Sequence, residues 1–201
     1  MKIFRVKYLI LALCALMAVS PHAFAHKKAN ETAPSTEKKM SGHFSLTDQN
    51  GKAVTDKDYK GKWRLVFFGF TYCPEVCPVT TAKISEVMKY LGNDAALIQP
   101  LFISVDSERD TPERLREYLK DYDARIIGLT GTEDQIKEAA KNFGAFYQRT
   151  ETPGSSEGVS YDHSSYTYLI SPKGEIVSFY RYKETAGAVT AAVDKTIKQK
   201  K

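Results

Sequence analysis

Apolar and polar positions follow two rhythms along this chain, and the rhythm changes where glycine, proline and short polar side chains cluster. Between Phe44 and Val54 the pattern is broken by Asp48-Gln49-Asn50-Gly51, a strong turn signal, which predicts a hairpin of two short strands. Leu65-Val66-Phe67-Phe68-Gly69-Phe70 is a continuous apolar run, as expected of a central strand buried on both faces. Ile84, Val87, Met88 and Leu91 then recur at i, i+3, i+4 and i+7, one face of a helix. Leu97 to Val105 reads as the next strand, ending at Asp106. Thr111-Pro112-Glu113 predicts an N-cap followed by proline at the first helical position, with Leu115, Tyr118 and Leu119 facing inward.

Arg125 to Leu129 is a further short strand, and Thr132 to Phe143 a helix ended by Gly144. Tyr166–Ile170 and Glu175–Tyr180 pair as a hairpin around Ser171-Pro172-Lys173-Gly174, and a last helix runs from Thr185 to about Lys198. No internal repeat is visible. Three strand–helix pairs followed by a hairpin and a helix predict an α/β domain: a mixed sheet with helices on both faces. Ligands of such sheets gather at the carboxyl ends of the parallel strands, where Cys73, Cys77 and Asp106 all fall.

The ends of the chain read differently. Lys2, Arg5 and Lys7 precede the apolar run Tyr8–Val19, and Ala23-Phe24-Ala25 supplies a small-x-small cleavage pattern. Residues 1–25 are therefore expected to be a secretory signal peptide, which points to the periplasm. The apolar run is short of the ~20 residues that span a bilayer as a helix, so an uncleaved anchor is the weaker alternative. Residues 26–40 are polar and aperiodic, a flexible tether, and 41–201 form one domain. The formal charge of +5 falls to 26 basic against 24 acidic residues without the leader, too balanced for a nucleic-acid footprint.

Of three cysteines, Cys14 lies in the leader after Leu13, where bacterial lipidation prefers a small residue, so only Cys73 and Cys77 remain. A disulfide between them closes a tiny loop and stabilises almost nothing, so the pair is there for chemistry. Spacing i, i+4 on a helical turn brings both side chains to one face, with Cβ atoms ~5–6 Å apart. Pro78 is expected to begin the main helix, leaving both cysteines on a separate turn before it. Amide dipoles at that N-terminus favour thiolates. Redox dithiols usually take the spacing C-x-x-C, and three residues intervene here. Ser164-Ser165-Tyr166-Thr167 also lacks the proline that redox relatives of this layout place before the facing strand.

His163 precedes that strand, in a loop expected to overhang the strand ends. On spacing alone a lone histidine reads first as a solvated or core residue and only second as a ligand. His43 has no such placement, and His22 and His26 lie in the leader and tether. Two thiolates and an imidazole suit copper; structural zinc wants a fourth ligand, and none is evident. Asp110 reads as part of a helix start. Asp106 is a candidate to orient His163 from behind, or a solvated loop residue.

Three motifs together resemble the Sco/SenC family of copper chaperones, in its bacterial secreted form. They are Cys73-Pro74-Glu75-Val76-Cys77-Pro78, Val105-Asp106-Ser107-Glu108-Arg109-Asp110-Thr111-Pro112, and Asp162-His163-Ser164 before Tyr168-Leu169-Ile170. The likeness runs from about Phe44 to the last helix. It implies a thioredoxin-like fold with an N-terminal β-hairpin extension. It also implies one copper ion per monomer, as Cu(I) or Cu(II), on Cys73, Cys77 and His163. Many relatives carry Pro where Ser107 stands and an aliphatic residue where Tyr161 stands, neither a ligand position. The implied client is the copper-site subunit of cytochrome c oxidase, whose dinuclear copper site would be assembled. A thioredoxin-like reductant and another copper chaperone are the further partners expected. The expectation is thus a metal carrier and not an enzyme. The alternative is a thiol–disulfide oxidoreductase or redox sensor using Cys73 and Cys77 as a redox-active disulfide.

Overall fold

The computed structural model describes residues 40–154 and 158–200. The expected signal peptide and, but for Met40, the expected tether lie outside them. Among the described residues no helix is long and apolar enough to cross a membrane.

The apolar run forms β3 (Trp63–Gly69), in which every residue is buried. The continuous pattern predicted this, because a strand covered on both faces has no polar side to show. It pairs in parallel with β4 (Ile98–Ser104), so that Gly69 stands opposite Ser104. β4 pairs in parallel with β5 (Ile127–Thr130). The entrance hairpin, β1 (Ser45–Asp48) and β2 (Ala53–Thr55), joins the sheet through antiparallel pairing of β1 with β5. On the other side β8 (Tyr166–Ile170) pairs antiparallel with β3 and β9 (Ile176–Arg181) with β8. The seven-stranded order is β2-β1-β5-β4-β3-β8-β9, a mixed sheet of the kind the pattern predicted. Asp48 sets the first turn, its carboxylate accepting from the N–H groups of Asn50 and Lys52.

Helices α1 (Val76–Tyr90) and α2 (Pro112–Leu119) are successive crossovers in one direction along the sheet, and right-handed connection puts both on one face. The aromatic contacts agree. Phe67 meets Phe102, which meets Tyr118 of α2. On the opposite face Phe68 packs 5.2 Å from Phe143 at the end of α3 (Glu133–Phe143). The last helix, α4 (Ala186–Gln199), packs on α1. Burying each of these phenylalanines contributes ~1.5–3 kcal/mol, so the sheet between the two layers is the stable part of the molecule. Thr111 caps α2 as expected, accepting from Arg114 N, and Thr132 caps α3, accepting from Gln135 N. Gly144 ends α3 at φ 63°, a conformation natural to glycine.

Two expectations need correction. The helix after the cysteines begins at Val76 and not at Pro78, so Cys77 lies in its first turn and only Cys73 stands outside. Pro78 is tolerated because the first-turn N–H groups have no intrahelical partner to lose. His163 is not on a loop. It ends β7 (Val159–His163), which pairs antiparallel with β6 (Tyr147–Glu151) in a separate two-stranded sheet, Tyr147 opposite His163. The residues of β6 are largely exposed and its pattern carries little apolar signal, which hides it from a periodicity reading.

Candidate metal centre

β3 runs into the residues before α1, and there the chain turns over the sheet's carboxyl end. Cys77 is fully buried, its Sγ against the strand. Gly69 makes this approach possible: a Cβ there would lie 3.0 Å from Cys77 Sγ and 2.8 Å from the Phe67 ring. Cys73 is half-buried at the rim, its sulfur accepting from the Cys77 N–H at 3.4 Å. An anionic sulfur is thereby seated on the first N–H groups of α1, where the helix dipole favours negative charge.

His163 approaches from the hairpin. Its Nε2 is 3.5 Å from Cys77 Sγ, and its ring stands edge-on to Phe67 and Phe70 with centroids 5.9 and 6.0 Å away. Its Nδ1 is 3.2 Å from the carbonyl of Ser164. A carbonyl can only accept, so the proton belongs on Nδ1 and the Nε2 lone pair faces the sulfurs. The ligand atoms of Cys73, Cys77 and His163 all lie within 4.8 Å of one another, the one such group among the described residues. An ion at ~2.0–2.3 Å from each donor fits that spacing with small shifts. A cleft of about 320 Å³, bordered by Phe70, Cys73, Val76, Tyr161 and His163, opens the group to solvent.

The two thiols differ sharply. The Cys73 thiol is pulled down to about 4, chiefly by hydrogen bonding from the Cys77 thiol, with backbone N–H groups of Cys77 and Glu75 adding to it. The Cys77 thiol is pushed up, by that same hydrogen bond and by its burial. One thiolate and one thiol share a proton between them, and the thiol can also donate to His163 Nε2.

The remaining expected residues are placed differently. His43 is exposed, 2.9 Å from Asp56, and is not part of the Cys73–Cys77–His163 group. Asp106 does not hold His163, whose Nδ1 is turned to its own neighbour. It is buried and bound by Arg109, Nε to Oδ2 at 2.5 Å, and the Tyr161 hydroxyl lies 3.4 Å from its other oxygen. Arg109 reaches on to the carbonyl of Val159 at 3.2 Å, so these two residues fasten the histidine's hairpin. Asp110 does not serve the helix start: it is buried and accepts from Thr71 and Ser104. A signal for this was present, since Thr111 with Pro112 already supplies the cap and leaves Asp110 no task there. Tyr161, whose ring lies 5.3 Å from Phe70, offered no such signal.

A family model described as SCO1/SenC matches residues 32–198. Among curated proteins the chain is 40% identical over 161 residues to "Protein SCO1 homolog 1, mitochondrial" of Arabidopsis thaliana, covering 80% of this chain and 48% of that protein. It spans about half the length of the plant and human curated relatives it matches. The crystal structure of Arabidopsis thaliana ScoI with copper bound superposes with a TM-score of 0.75 at 38% identity, covering 80% of this chain and 99% of that one. BsSco is 26% identical with a TM-score of 0.62, covering 78% of this chain and 92% of its own. It is described as carrying a disulfide switch and as a member of the Sco family of cytochrome c oxidase assembly proteins.

Proposed function

The chain belongs to the SCO1/SenC family, and from that premise we propose that it is a copper carrier whose ligands are Cys73, Cys77 and His163. The observation that carries this is the gathering of two sulfurs and one imidazole nitrogen within 4.8 Å, at the mouth of a cleft. Thiolates suit Cu(I), the added imidazole suits Cu(II), and a three-donor set leaves room for exchange with an acceptor. Likeness to a ScoI structure holding copper supports the choice of metal. The half-exposed Cys73 thiolate captures the ion, the buried Cys77 gives up its proton, and the Nε2 lone pair of His163 closes the site.

Delivery to the dinuclear copper site of cytochrome c oxidase is the proposed purpose, supported by the assembly role named for BsSco. The client is the oxidase subunit that carries this site, another copper chaperone supplies the ion, and a thioredoxin-like protein keeps the cysteines reduced. The leader pattern supports a periplasmic location. A second reading, redox exchange through a Cys73–Cys77 disulfide, is favoured by the lowered Cys73 thiol and by the switch described for BsSco. Copper titration of the reduced and the oxidised protein, beside an insulin-reduction assay, separates the two. Tight one-to-one binding by the reduced form only, without reductase turnover, supports carriage. Equal binding by both forms removes the cysteines as ligands.

A further inference from the structure

Resting on the reading that Cys73 and Cys77 hold one ion together, we infer that Asp110 is a positioning residue of the centre, acting through Thr71 to set where Cys73 stands relative to Cys77. Cys77 needs no such help, being fixed in the first turn of α1 and packed against β3. Cys73 lies outside both elements, and its own backbone tie is one bond from its N–H to the Phe70 carbonyl at 3.3 Å. Two residues before it stands Thr71, which is 6% exposed.

Both polar groups of Thr71 end on one carboxylate. Its N–H donates to Asp110 Oδ2 at 2.9 Å and its hydroxyl to Oδ1 at 2.6 Å. Ser104 Oγ donates to Oδ2 at 2.5 Å, and Asp110 is 1% exposed. Ser104 closes β4 directly opposite Gly69, the end of β3, so the carboxylate ties the residues before Cys73 to the ends of both central strands. Arg114 completes the Thr71 hydroxyl, donating from Nε at 2.9 Å, and its guanidinium lies 4.8 Å from the Tyr72 ring centroid. A buried carboxylate is costly and is retained where its donors are needed in fixed places. These donors lead to Cys73 and to no helix cap. A sulfur that must share an ion with a second, immobile sulfur tolerates displacement of only ~0.5 Å, which is the precision such a clamp supplies.

The test uses the full chain with Asp110→Ala and Asp110→Asn, reduced and metal-free, with melting temperature and circular dichroism confirming the fold. Two measurements need no metal: the dithiol–disulfide equilibrium against glutathione and the alkylation rate of Cys73. A third is a competitive Cu(I) titration. Asp110→Ala should shift the thiol equilibrium by about tenfold and weaken Cu(I) binding ~10–100-fold. Asp110→Asn should recover most of both, because an amide still accepts from the Thr71 N–H and donates to a hydroxyl. A folded Asp110→Ala protein with wild-type thiol equilibrium, alkylation and copper affinity, altered only in melting temperature, overturns the inference. If Asp110→Ala does not fold, Thr71→Val removes the hydroxyl alone and must move the same readouts in the same direction; wild-type values there overturn it equally. Should the wild type take up no copper while Asp110→Ala still shifts the thiol equilibrium, the copper reading fails and the positioning role stands.

Discussion

The thiols and the histidine are held by two parts of the molecule built to different standards. Cys77 belongs to a helix packed on the central sheet, and the residues leading to Cys73 are tied down by a buried carboxylate at 2.5–2.9 Å. His163 ends one strand of a two-stranded hairpin that shares no ladder with the main sheet. Such a hairpin is marginal by itself. It rests on the ring contact of Tyr161 with Phe70 at 5.3 Å and on the tie from Arg109 to Val159, while Ser164 and Phe146 bond each other at its base at 2.8 and 2.9 Å. The surface pair of Arg149 with Glu108 at 3.9 Å adds at most ~1 kcal/mol. The difference teaches a division of labour. On the proposed reading, the sulfurs would form a preset wall that satisfies Cu(I) unaided, and the imidazole an arm that joins when Cu(II) needs a nitrogen donor.

The harshest way to break this contrast is to remove the wall. Cys73→Ser or Cys77→Ser removes one of three donors and should cost about 10³-fold or more in affinity for Cu(I) and Cu(II) alike. Retention of tight binding by either variant, measured by competition with a chelator of known affinity, would count against the wall. Removing the arm should separate the two oxidation states. His163→Ala is expected to change Cu(I) affinity less than about tenfold while weakening Cu(II) ~100-fold and bleaching the thiolate-to-copper absorption. His43→Ala, at an exposed histidine paired with Asp56, should alter neither.

Hydrogen exchange compares the regions directly and without metal. Amides of β3 and β4 should exchange only by global unfolding, and those of β6 and β7 about 100-fold faster through local opening. Equal protection of both would dissolve the distinction between wall and arm. Alkylation sharpens it within the wall. Because the Cys73 thiol is pulled below its ordinary range, to about 4, its thiolate persists at neutral and mildly acid pH and is lost only as pH falls through that value. Iodoacetamide at pH 6 should therefore modify Cys73 at least ~10-fold faster than the buried, protonated Cys77, read by peptide mass. The mildest change is at Arg109, which fastens the hairpin and also lies 4.7 Å over the Tyr72 ring: Arg109→Ala should lower Cu(II) affinity ~10-fold and Cu(I) affinity much less.

How much of this was legible beforehand follows from range. The order of strands and helices in the main domain, the cap at Thr111, the glycine end of α3 and the gathering of Cys73 and Cys77 were readable. Each depends on residues a few positions apart, whose spacing alone fixes whether side chains share a face. The start of α1 was misread by two residues because Pro78 is acceptable anywhere in a first turn, so it marks a region and not a position. The hairpin of β6 and β7 escaped because strands that bury little apolar surface carry no period-2 signature.

The rest belongs to the tertiary structure. His163 meets Cys77 across 86 positions, and Asp110 meets Thr71 across 39. Nothing local to His163 distinguishes it from a solvated histidine, and nothing local to Asp110 names Thr71 as its partner. The sequence by itself determined the elements, the paired cysteines and the end of the sheet where they lie, since short-range sterics and burial periodicity act within each segment. Which distant side chains meet there was decided only when strand order and register closed the sheet, because a polar group's partner is set by the packing that buries both.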